Sequence, residues 1–196
     1  ILQGTLGALT VINMLSSLSV MSHLLIAFII LITAIYVNQA LINKAMDKNI
    51  LWWKYLLSIP LSLTLVQSVI GVRLSSTWSA HLCLSMNQNC IVLNSHKLFA
   101  IPVFISVISI ILVSFLKFDL FKNNWKFLIS AFLLLISQIT LGVLSLKTNL
   151  NEPLIIISHQ IVASLMVATL STLIFKKSSE NILINSTKNN VILSFN

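Results

Sequence analysis

Long apolar runs alternate with short polar breaks along this chain, and that pattern sets its elements. Apolar stretches of about 18 residues or more, the length at which a helix crosses the hydrocarbon core of a bilayer, cover about 18–42, 55–72, 96–116, 127–146 and 154–175. The pattern predicts five transmembrane helices. The alternating segments of a membrane β-barrel, about ten residues each, do not occur. The opening stretch, residues 1–15, is too short to span and reads as the end of a further helix. It begins at Ile1 with no initiator Met and no basic leader, so the expectation is the interior of a longer protein. Residues 178–196, rich in Asn, Ser and Lys, form a polar tail.

Composition narrows the class. Of 196 residues, 57% are hydrophobic and 8% charged, against roughly 25% charged in a soluble domain. Mean hydropathy is +1.00. Such a chain cannot cover a water-facing surface, which excludes a soluble enzyme, a disordered segment and a nucleic-acid binder despite a pI near 9.8. Four Gly and three Pro exclude a collagen-like chain. The expected fold class is all-α, a polytopic membrane protein. Its net charge of +8 is a matter of topology. Lys44, Lys48, Lys54, Lys117, Lys122, Lys126, Lys176, Lys177 and Lys188 fall on one side of the predicted spans; Arg73, Lys97 and Lys147 fall on the other. Positive charge collects on the cytoplasmic side. The second group therefore marks the outer side, the cell membrane of a bacterium being the expected location. Trp52, Trp53, Tyr55 and Trp125 stand at cytoplasmic ends, where an aromatic belt belongs.

All four histidines then lie toward the outer side: His23, His96 and His159 at outer helix ends, His81 in a loop. Each of the first three opens an H-x-x-x-A motif, to Ala27, Ala100 and Ala163. Each follows a helix carrying Q-x-x-[LI]-G: Gln3 to Gly7, Gln67 to Gly71, Gln138 to Gly142. The longest match pairs QGTLGALT (3–10) with QITLGVLS (138–145). Residues four apart share a helix face. The unit is a helical hairpin, outward on Q-x-x-x-G and inward on H-x-x-x-A, present three times. The expected organisation is a partial bundle (1–50), a four-helix bundle (51–177) and the tail.

An intramembrane histidine is a candidate for function, although small and polar residues also serve helix packing. Zinc would require four close nitrogen or sulfur ligands. A haem iron needs two axial imidazoles from facing helices and a flat space between them. His96 and His159, on alternate helices of the four-helix set, suit the second. Small residues at Ala100, Ala163, Gly71 and Gly142 are expected to leave room for the macrocycle. Arg73, and less so Lys97 and Lys147, could meet its propionates or simply anchor the interface. Cys83 and Cys90, with six residues between them in the outer loop, are expected to pair as a disulfide. The pair would serve as a loop staple or in thiol exchange, with metal ligation a third option.

These motifs, QGTLGALT with His23 and Ala27, QSVIGVRLSS with the Cys pair and His96, QITLGVLS with Pro153 and HQIVA at His159, resemble the haem A synthase family over residues 1–175. The resemblance implies two similar four-helix bundles. The first takes haem O as substrate and the second holds a haem b cofactor on two histidines, here His96 and His159, with His23 a ligand of the substrate haem. It implies oxidation of the haem O methyl group to a formyl by successive hydroxylation and loss of water. It also implies haem O synthase and a thiol–disulfide protein as partners. The family's first two helices, its other substrate-side His and its outer-loop acid have no counterpart here. The outer side carries only Glu152 as a carboxylate, no catalytic residue is assigned, and this segment alone is expected to be inactive. The alternatives are a cytochrome b-like electron carrier and a small hairpin-repeat transporter with histidines as proton relays.

Overall fold

The computed structural model describes residues 1–42, 51–76 and 90–176. Every element among them is helical: α1 (Leu2–Ile12), α2 (Ser17–Ile42), α3 (Leu51–Ser76), α4 (Ile91–Leu116), α5 (Phe118–Lys147) and α6 (Pro153–Phe175). Five are long and apolar enough to cross a membrane, and α1 is a shorter apolar helix. The protein is an integral membrane protein of the all-α class. Several helices outrun the apolar stretches that predict them. α5 begins nine residues before Phe127, on a turn containing Asp119 and Lys122. The reason is that a helix satisfies its own backbone in the headgroup region as well as in hydrocarbon, so hydropathy marks the core of a span but not its ends.

Helices α3, α4, α5 and α6 close a ring in which α3 touches α4, α4 touches α5, α5 touches α6 and α6 returns to α3. α4 and α6 stand on a diagonal. Hairpin α1–α2 lies outside the ring, with α2 against both α6 and α3. Tyr36 of α2 meets the Phe175 ring edge-on at 5.2 Å.

Turns α1–α2 and α5–α6 have the same design. Asn13 and Thr148 donate their N–H groups to Leu9 and Leu144 at 2.9 and 3.0 Å, and Leu15 and Leu150 donate to Thr10 and Ser145 at 2.9 Å. Each turn then carries two consecutive left-handed residues, Met14 and Leu15 (φ 48° and 60°), Asn149 and Leu150 (φ 50° and 59°). The sequence match between 3–10 and 138–145 therefore continues as a match of backbone.

Packing is uneven along the bundle. The half toward the lysines holds one dense cluster: Trp53, Leu57, Val107, Ile110, Leu128, Ala131, Leu135, Met166, Leu170 and Leu173. Trp53 departs from the expected aromatic belt. It is 2% exposed, against 43% for its neighbour Trp52, because adjacent residues point about 100° apart round a helix. Trp52 instead lies under the Lys117 ammonium at 4.8 Å. At the end of α6, Lys176 donates to the Asn123 carbonyl. Burial and the charge of Lys126 hold its ammonium below the usual lysine range.

The other end is closed by Leu74 and Leu93, with Cys90, Val92, Leu146 and Leu150 against them. Between plug and core no residue of these helices is fully buried as a whole: the buried set passes from Thr64 to Val72, from Leu93 to Val103 and from Leu135 to Ser145, and on α6 begins at Met166. At 1.5 Å per residue this slab of partly exposed side chains is about 12–15 Å deep. Membrane bundles otherwise cohere by close packing.

Candidate functional site

That slab contains the repeated motifs. His96 on α4 and His159 on α6 both point into it from the diagonal, their ring centres 6.5 Å apart and their planes at 63°. Two imidazoles this close could share one ligand between them.

Each ring is seated by its own hairpin. A Cβ built on Gly71 would stand 3.1 Å from His96 Cε1, one on Gly142 3.3 Å from His159 Cε1, and one on Gly7 3.2 Å from His23 Cε1. These glycines were expected to widen the space between the rings. Instead each clears the space that an imidazole of the next helix occupies, since the tight hairpin brings Q-x-x-x-G directly against the following histidine. Ala100 is exposed and Ala163 half-buried, so neither is packed over by its neighbours.

The glutamines were visible only as part of the repeat; the structure makes them contacts of the histidines. Gln67 Nε2 donates to the His96 main-chain oxygen at 2.9 Å and stands 3.2 Å from Nδ1 and 3.4 Å from Nε2 of that ring. Gln3 Nε2 donates to the His23 main-chain oxygen at 3.2 Å and lies 3.3 Å from His23 Nε2. In the third hairpin the His159 ring lies against the main chain of Gln138, while its Nδ1 makes no hydrogen bond. An amide inside a membrane span is costly unless it is bonded, and that cost was the available signal.

Other expected site residues fall elsewhere. Arg73 lies two residues past Gly71, roughly 200° round α3 from the imidazole seat. It borders a lateral cleft of about 410 Å³ lined by Ile70, Ile91, Val92, Ser95, Leu98 and Phe99. Lys97 and Lys147 are exposed. His23 is seated like the other two, but no histidine ring faces it among the described residues. His81 and Cys83 lie outside the described residues, and with Cys83 so does its pairing to Cys90. Cys90 is the residue preceding α4. Among the described residues no group of three or more His, Cys, Asp or Glu is placed to hold a metal ion, so a zinc-type cluster has no support there.

No protein-family model matches this chain, and no curated protein or solved structure does.

Proposed function

We propose that the chain is a haem-binding membrane oxidoreductase of the haem A synthase type, with His96 and His159 as the axial ligands of a haem b. The observation that carries this reading is the diagonal imidazole pair in a slab without fully buried residues. Two Fe–N bonds of about 2.0–2.1 Å, with ring centres a further 1.1–1.2 Å or so behind each nitrogen, put axial imidazoles about 6.3 Å apart. The observed separation is 6.5 Å. Over that depth the four helices carry no fully buried residue, and a wide, flat ligand would supply the missing burial.

A bound haem b would supply one-electron transfer. Conversion of a methyl to a formyl removes four electrons, so a substrate haem near His23 would need such a relay beside it. Helix α2, which carries His23, packs against α6 and α3. The bilayer is the surrounding medium, the histidine end is read as the outer side, and Arg73, Lys97 and Lys147 are that end's cations.

Purification with haem b and optical spectroscopy test this. The expected result is a low-spin bis-imidazole spectrum that turns high-spin, or vanishes, in His96→Ala and in His159→Ala. His23→Ala should leave it intact. A wild-type chain that takes up no haem would overturn the proposal. A second haem dependent on His23 would favour the synthase; its absence would favour a plain electron carrier.

A further inference from the structure

Three buried amide oxygens have no partner: Oε1 of Gln3, Gln67 and Gln138. All three occupy the same place in the repeat. Nδ1 of His23 and of His159 is likewise buried and unbonded. An unpaired buried acceptor is destabilising, and its recurrence in three hairpins points to a donor each amide is built to receive.

The chemistry of a ligating imidazole identifies that donor. A histidine that coordinates through Nε2 carries its proton on Nδ1, and ligating histidines give that N–H to a neighbouring acceptor, which fixes the ring and raises its basicity. A carboxamide has a donor end and an acceptor end that a half-turn of its last torsion interchanges. In the structure the donor end faces the ring: Gln67 Nε2 is 3.2 Å from His96 Nδ1 and Gln3 Nε2 is 3.3 Å from His23 Nε2.

We propose that Gln67 and Gln138 are positioning residues for His96 and His159, and Gln3 for His23. In the metal-free protein the Gln67 and Gln3 amide N–H groups donate to an unprotonated ring nitrogen of His96 and His23. Were His96 Nε2 to hold iron, the Gln67 amide would turn so that Oε1 accepts the Nδ1–H. The glycine one turn further along holds the ring edge during the exchange. The second half of this inference rests on the haem reading above; the first half does not.

The test uses the full chain in lipid nanodiscs with ¹⁵N-labelled histidine. Without metal, Gln67→Met removes donor and acceptor at similar shape and should shift the His96 ring nitrogens while leaving those of His159 in place. Unmoved His96 signals would overturn the proposal. Gln138→Met makes the same test at His159, where unchanged signals would assign the ring to the main chain of Gln138 instead. With ferric haem b, Gln67→Met should weaken binding about 10–100-fold and raise the midpoint potential. Gln67→Glu should restore binding and lower the potential below wild type, because an anionic acceptor stabilises the ferric form. Equal potentials and affinities in all three would overturn the amide's role with haem bound. Failure of the wild type to bind haem would instead overturn the haem reading, leaving the metal-free spectra to decide the amide's role. Gln67→Glu and Gln138→Met keep the test decisive if Gln67→Met does not fold.

Discussion

Gly71 and His96 meet so closely that a methyl group on the glycine would stand 3.1 Å from the imidazole Cε1 and 3.5 Å from Nδ1. The contact joins the two signatures of one hairpin. It recurs between Gly142 and His159, where the corresponding distances are 3.3 and 3.8 Å.

Alanine at position 71 should therefore move the His96 ring by a few tenths of an ångström without unfolding the helix, since Ala is the better helix former by about 1 kcal/mol. The expected outcome is unchanged far-ultraviolet circular dichroism with weakened haem binding and a broadened low-spin signal. Gly142→Ala should do the same to a smaller degree. Equal binding by wild type and Gly71→Ala would mean the ring does not depend on this seat.

The two matching turns should respond oppositely to glycine. Leu15 holds φ 60° and is 55% exposed. Leu15→Gly should remove strain of about 1–2 kcal/mol and raise the melting temperature. Leu150 holds φ 59° but packs on the Leu74–Leu93 cluster. Leu150→Gly should lose that contact and melt lower. Thermal unfolding in one detergent would compare them directly; shifts of the same sign would show that the plug contributes little.

Leu170 is 0% exposed in the dense half, and Leu98 is 67% exposed beside the lateral cleft. Leu170→Ala should cost about 2–5 kcal/mol, chiefly through the cavity it leaves, whereas Leu98→Ala should stay within about 0.5 kcal/mol. Denaturation in mixed micelles would measure both. Neither change should alter a haem spectrum, because both residues lie outside the imidazole pair.

Cys83 and Cys90 should form a disulfide in the intact protein, given their place on the side opposite most of the lysines. Alkylation before and after reduction, read by intact mass, would count the thiols. Two thiols modified without reductant would remove the staple.

The amino-acid sequence by itself determined the class, the spans and the repeat. Transfer from water to hydrocarbon is decided residue by residue, so runs such as 96–116 announce a helix without reference to any neighbour. The three pairs of Q-x-x-x-G and H-x-x-x-A were legible for a similar reason, since residues four apart share a face on any helix. Which surface each face meets was not legible. Periodicity orients a side chain round its own axis and says nothing of what stands opposite. Only the tertiary structure decided that Gly71 and Gly142 seat imidazoles within their own hairpins and that Gln67 holds His96. It also turned Trp53 into the core and Arg73 to a lateral cleft. The same holds for the 6.5 Å between His96 and His159, a distance set by the closure of four helices into a ring, which no local pattern contains.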